Sequence, residues 1–255
     1  MVDFKRPENY ECDPRIGQLE PIKKFYVSFA SKGKTCLEVG CGAGRIGIPF
    51  VKLSKAPYYG VDASEQMLKL FKDRCPDVSS DNVTLIHKKI ENYQIIKNKF
   101  DLIICPYNTF QYLLNEIDQV NFLQNCYQGL KPGGKLIFDI LNPSSGRMRK
   151  SYDTEFDMKF DFEGLNPNND NKIKRYQKII LVDNDNKLLH KQFKYDEYIQ
   201  SDIIKESVID FKIRIVYQED IMPLIHQVFE NVEVKQGFYN QSNQGSLIFS
   251  LRKNE

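Results

Sequence analysis

Two hydrophobic rhythms run along the chain. After a polar lead, IGQLEPIKKFYVSFA spaces Ile16, Leu19, Ile22, Phe25, Tyr26 and Phe29 at helical intervals, and SKGK closes that segment. Short apolar runs then take over. TCLEVG and APYYGVD predict strands, joined by a glycine turn and the helical RIGIPFVKLSK into one βαβ unit. Ser64 is positioned to cap SEQMLKLFKDRC; VTLIHKKI and FDLIICPY predict the third and fourth strands, EIDQVNFLQNCYQGL a helix, and KLIFDIL a fifth strand after the turn KPGG. Strands alternating with helices of this length predict a parallel sheet covered on both faces, because each right-handed crossover lays its helix back over the sheet.

From about Asn142 the period changes. IKRYQKIILVD, LLHKQFKYDEYI and ESVIDFKIRIVY are long β-rich runs, the first two joined by the turn NDN, and they predict an antiparallel meander inserted as a lid. QEDIMPLIHQVF then predicts a helix, and VEVKQGFY and SLIFSLRK a closing hairpin around NQSNQG. The expected organisation is a core with an N-terminal helical arm over 1–144, the β insertion over 145–216, and a return to the core over 217–255. The asparagine-rich NPNNDN at 166–171 reads as a flexible loop.

Composition narrows the classes. With 255 residues, 41% hydrophobic and 27% charged, the chain can bury a sizeable core and is not disordered throughout. Its formal charge of +2 comes from basic residues scattered among acidic ones, which disfavours a nucleic-acid partner. The six cysteines form no CxxC pair and no zinc-ligand spacing with histidine, so no metal is expected. The polar start lacks a signal-peptide core and no apolar run approaches the roughly 20 residues of a membrane span, so a soluble, cytoplasmic protein is expected.

The chemistry concentrates in LEVGCGAGRIGIPF. A glycine turn between a strand and a helix N-terminus lets a ligand approach bare backbone. Gly40, Gly42 and Gly44 follow GxGxG, with Arg45 where a dinucleotide-binding turn has its third glycine, and no Gly-Lys-Ser/Thr of a phosphate-binding loop follows. Glu38, two residues before the first glycine, repels a pyrophosphate and attracts an ammonium. Asp62, at the end of the second predicted strand, is placed to accept both hydroxyls of a ribose. An adenosine carrying an amino-acid ammonium describes S-adenosylmethionine.

At this point the chain resembles the class I S-adenosylmethionine-dependent methyltransferases of the small-molecule type, over about residues 15–142 and the closing hairpin. LEVGCGAGRIGIPF is similar to that family's first motif, GVDASEQML to its acidic second, FDLIICPYNTFQYLL to its fourth strand and loop, and LKPGGKLIFDILNP to its fifth. The resemblance implies an α/β, Rossmann-like, doubly wound seven-stranded sheet with its last strand antiparallel. It also implies S-adenosylmethionine as cofactor and S-adenosylhomocysteine as product. Carried over, Gly40, Cys41, Gly42 and Gly44 wrap the methionine end, Glu38 orients that loop or meets the ammonium, and Asp62 holds the ribose. Ala63 and Met67 flank the adenine, Ile90 stacks on it, Glu91 accepts from it, and Cys105 ends the fourth strand beside the cofactor. Lys89 stands where relatives often place an aspartate.

Tyr107, Asn108, Gln111 and Tyr112 offer hydroxyl and amide groups to position an acceptor, set against a core role for the aromatic rings. Tyr10 and Arg15, in the polar lead, are candidates for an arm reaching the cofactor carboxylate, set against an ordinary solvated N-terminus. His87, His190 and His226 lie in separate segments and none is assigned as a base; RMRK at 147–150 reads as a solvated face. The expectation is methyl transfer to a small polar metabolite at nitrogen or oxygen, away from any membrane, with the insert's aromatic residues offering a homodimer surface. The alternatives are a tRNA or protein methyltransferase, a non-catalytic S-adenosylmethionine-binding or assembly subunit and, more remotely, a dehydrogenase.

Overall fold

The computed structural model describes residues 6–76, 82–144, 157–237 and 245–255; the RMRK segment and nearly all of the NQSNQG turn lie outside them. Five strands, β1 (Cys36–Val39), β2 (Tyr58–Asp62), β3 (Val83–His87), β4 (Phe100–Cys105) and β5 (Leu130–Leu141), pair in parallel, and β10 (Asn231–Gly237) and β11 (Ser246–Arg252) complete a seven-stranded sheet. Its order is β10-β11-β5-β4-β1-β2-β3, with β11 antiparallel to both neighbours.

Alternation along each strand feeds two cores. Cys36, Leu102 and Ile104 face Ile22 and Tyr26 of α2 (Glu20–Val27), Phe50 of α3 (Gly47–Ser54) and Phe71 of α4 (Glu65–Asp73). Leu37, Ile103 and Phe138 face Phe122 and Leu123 of α5 (Glu116–Gly129) and Ile221 and Ile225 of α6 (Gln218–His226). The expected α4 cap is present, with Ser64 Oγ accepting from Met67 N–H at 3.3 Å.

Several local expectations are corrected. The N-terminal helical pattern breaks into a 3-10 turn, Pro14–Leu19, followed by α2, which restarts with Pro21 in its first turn, where a missing N–H costs nothing. KPGG is not a free turn but the start of β5, kinked by a register shift against β4 and by Gly133 at φ +72°.

The insert is a separate antiparallel sheet of four strands, β6 (Lys159–Leu165), β7 (Lys172–Asp183), β8 (Leu188–Ile199) and β9 (Asp202–Arg214), where the hydrophobic pattern predicts three. In the β7–β8 turn Asp183 accepts from the Asn186 N–H, three residues on, at 2.9 Å. NPNNDN is not loose: Asn166, Asn169 and Asn171 all donate side-chain amides to Glu197 Oε1, at 2.9, 3.1 and 3.1 Å, while Arg6 meets Oε2 at 2.8 Å. Burial opposes ionisation of Glu197, yet these donors hold its carboxyl well below the usual range.

Candidate active site

Open parallel sheets present ligands with a crevice at the carboxyl ends of their strands, and here it opens beyond β1, β2 and β4. The turn after β1 bonds back to the sheet through Gly40 and Cys41 N–H, both donating to the Val61 carbonyl. Gly40, Gly42 and Gly44 have φ of +76°, +51° and +81°, a region costly for any residue with a Cβ. A Cβ on Gly40 would stand 2.6 Å from Thr109 Oγ1, so strand β4's loop closes tightly on this turn. At Gly42 the same atom would meet nothing within 4 Å, because that position faces the open cleft. Gly44 points away from it, against Ile48 and Phe71, and its role in the structure is packing between α3 and α4.

The cleft is about 750 Å³ including its mouth to solvent, and it is floored by Glu38 and Asp62. Tyr58 Oη donates to Glu38 Oε2 at 2.5 Å. Burial and the nearby charge of Asp62 nonetheless push the Glu38 carboxyl up to about 8. Asp62 is 6% exposed and receives Gly42 N–H on Oδ2 and Ser64 N–H on Oδ1, each at 2.9 Å. Burial raises its pKa as well, against the pull of those bonds. The two carboxylate oxygens offer about four acceptor sites, more than the Gly42, Ala63 and Ser64 N–H groups fill, which leaves capacity for a ligand.

A cation lines the same cleft. Arg45 lines the cleft, 3.3 Å from Tyr10 Oη and 3.4 Å from Glu11, with its guanidinium over the Tyr10 and Tyr107 rings at 5.0 and 5.7 Å. The polar lead, folded as α1 (Pro7–Glu11), therefore reaches the cleft through Tyr10 and Glu11. Arg15 does not reach it: its guanidinium is held by Asp13 at 2.7 Å and Asp161 at 3.2 Å, over the Phe162 ring on the insert. Arg45, not Arg15, is the arginine that lines the cleft; its position directly after the glycine turn, just before α3, is the signal the sequence carried for it.

The remaining expected residues divide. Cys41, Met67, Tyr107 and Tyr112 line the cleft together with Ala43 and Thr109, which the motifs did not single out. Ala63, Ile90 and Cys105 are buried and do not line it, and Ile90 and the exposed Glu91 border a separate polar groove beside α5. Gln111 is a clasp rather than a free amide: Nε2 donates to the Arg214 carbonyl at 2.9 Å and Oε1 accepts from Leu141 N–H at 2.8 Å. Tyr107 and Asn108 both adopt positive φ, +57° and +60°, and their N–H groups donate to Asp139 at 3.0 and 3.1 Å. Asp139, also unforeseen, is fully buried at the end of β5 and takes a 2.5 Å hydrogen bond from Tyr26 Oη; burial pushes it up to about 6. Asn108 Oδ1 is buried with no hydrogen-bond partner among the described residues.

A doubly wound sheet, a bare glycine turn after β1 and an acidic residue ending β2 define the nucleoside-binding class of α/β domain. Residues 36–134 match a family described as a methyltransferase domain. That match covers 99 of the 255 residues. The ubiquinone biosynthesis O-methyltransferase of Coxiella burnetii is 30% identical over 126 residues, 49% of this chain and 51% of that protein. The chain thus spans about half the length of the first curated relatives it matches. Among solved structures, the CcbJ methyltransferase of Streptomyces caelestis superposes with a TM-score of 0.71 at 15% identity, covering 93% of this chain and 96% of that one. The sugar N-methyltransferase KedS8 of Streptoalloteichus gives 0.69 at 13% identity, covering 95% and 89%. At these identities the likeness establishes the fold.

Proposed function

We propose that this protein is an S-adenosylmethionine-dependent methyltransferase acting on a small polar metabolite, with an amine nitrogen the preferred acceptor and a hydroxyl oxygen the alternative. The observation that carries the reading is the charge content of one cleft: two buried carboxylates, Glu38 and Asp62, an exposed glycine backbone and the Arg45 guanidinium line it together. That combination fits a zwitterionic nucleoside and disfavours a diphosphate. Asp62 would hold the ribose, Glu38 the ammonium, and Arg45 the carboxylate of the methionine end. Bound there, the cofactor supplies an electrophilic methyl group.

The chain's own residues align the acceptor and keep water out, which suffices for an in-line displacement by a neutral amine. Tyr107 and Tyr112 wall the cleft, and Asn108 beside Tyr107 carries a buried Oδ1 with no hydrogen-bond partner among the described residues. A hydroxyl acceptor would require a base, and no histidine lines this cleft. The curated relative that methylates oxygen and the structural neighbour that methylates a sugar nitrogen support the two acceptor types without choosing between them. We further propose that the sheet of residues 159–214 serves as the lid.

Calorimetry with S-adenosylmethionine and S-adenosylhomocysteine, followed by tritiated-methyl transfer to a metabolite extract, tests the reading. Binding of both and labelling of a small product are expected. Saturable NADH binding with no response to either sulfur compound would sink it.

A further inference from the structure

The inner face of the insert sheet buries two separate apolar groups. Beneath the N-terminal arm, Phe162, Ile173 and Tyr195 pack with Cys12. Nearer the core, Ile179, Leu189, Ile213 and Ile215 pack with Tyr112. Lys191 lies between these groups. Its neighbours in register are Ile179 on β7 and Phe211 on β9, and alternation puts it on the same face as Leu189, Phe193 and Tyr195.

A half-buried ammonium in such surroundings is costly unless an anion meets it. None does within the described residues. Asp161, the carboxylate whose charge reaches it, is taken by Arg15, Arg175 and Gln177, and the Lys191 side chain makes no hydrogen bond or ion pair among those residues. Burial draws its pKa down, Asp161 draws it up, and the Arg175 charge adds to the depression.

The same row leads to the cofactor cleft. Phe193 and Phe211 lie 5.5 Å apart between ring centres, and Phe211 meets Tyr112 edge-on at 5.6 Å. Tyr112 is itself a wall of the cleft that Asp62 floors. A cation without a partner among the described residues, flanked by rings and connected to the reaction site, matches one kind of ligand.

We infer that Lys191 is the acceptor-recognition residue: it receives an anionic group of the methyl acceptor, carboxylate or phosphate, whose ring or apolar portion lies along Phe193, Phe211 and Tyr112. This rests on the methyltransferase reading and deepens it by naming the acceptor class. Lys191 acts on binding and touches no reacting atom.

The test titrates benzoate, phenyl phosphate and, as the neutral counterpart, benzyl alcohol into the full chain with and without S-adenosylhomocysteine, read by NMR. Wild type, Lys191→Met and Lys191→Arg are compared after circular dichroism confirms that each is folded. At least one anion is expected to bind wild type about tenfold tighter than benzyl alcohol, to lose about tenfold in Lys191→Met, and to recover in Lys191→Arg. Which anion responds distinguishes carboxylate from phosphate. Equal binding of anions and alcohol, undiminished binding by Lys191→Met, or no binding of either anion overturns the assignment. Calorimetry of S-adenosylhomocysteine on the same samples separates the two claims. Its failure with anion binding intact removes the methyltransferase reading and keeps the anion site; the reverse result removes only the role of Lys191.

Discussion

Gly42 and Glu38 carry the cleft's chemistry one residue at a time. At Gly42 an added methyl meets no protein atom, so Gly42→Ala separates a cradle from a mere turn. The left-handed backbone at φ +51° predicts a loss of about 1 kcal/mol in stability, measured by thermal denaturation. If the turn holds the cofactor, affinity for S-adenosylmethionine falls by more than about tenfold in calorimetry; unchanged affinity removes the turn from the site. Glu38 predicts a pH dependence. Its folded pKa of about 8 lies above the ordinary 4.5, so the native state holds a proton the unfolded chain has released, and stability falls as pH rises from about 4.5 to about 8. A ligand bringing an ammonium favours the ionised form, so cofactor affinity should rise with pH up to about 8 and binding should release a proton. Calorimetry at pH 7 in buffers of different ionisation heat reads that proton, and Glu38→Gln should abolish both the release and the pH slope.

At the level of elements, the loop after β4 is shaped from a distance. Asp139 on β5 fixes two consecutive left-handed residues, Tyr107 and Asn108, and is itself held by Tyr26 of α2. Tyr26→Phe leaves a buried carboxylate oxygen short of a donor, which predicts a loss of about 1–3 kcal/mol in denaturant unfolding. Methyl transfer should drop by about tenfold or more through misplacement of the loop, while cofactor affinity holds; a variant with full turnover would free the loop from this control. The same residues mark how far the sequence could be read. The βαβ rhythm, the Ser64 cap and the glycine turn are local patterns, and each is visible within a dozen residues. Tyr26 and Asp139 are 113 positions apart, and nothing local in the helix run or the fifth-strand motif pairs them. The Glu197 cage draws its amides from 26 to 31 residues upstream, so asparagines that alone look like flexible loop become ordered by a partner no window contains. β6 escaped for a related reason: KFDFEGL is short and half polar, and its pairing with β7 decides its conformation.

Across the whole molecule, the N-terminal arm joins the insert to the cleft. One side of it is tied to the insert sheet, by Arg6 to Glu197 at 2.8 Å, Asn9 to Ser207 at 2.7 Å and Arg15 to Asp161 at 3.2 Å. Its other side presents Tyr10 and Glu11 to the cleft, where Arg45, and Arg74 at 2.9 Å from Glu11, hold them. Gly164 on β6 lies directly against the Cys12 carbonyl, and a Cβ there would overlap it. Gly164→Ala therefore pushes the arm off the insert without touching any residue that lines the cleft, and within a strand alanine is no worse than glycine for the backbone. If the arm and insert together retain the cofactor, this remote methyl should speed dissociation of S-adenosylhomocysteine by about tenfold, equivalent to about 1.4 kcal/mol if association is unchanged. Stopped-flow displacement measures it, with thermal denaturation confirming that the core is intact. An unchanged off-rate would mean that the insert and the cofactor cleft are neighbours without being coupled.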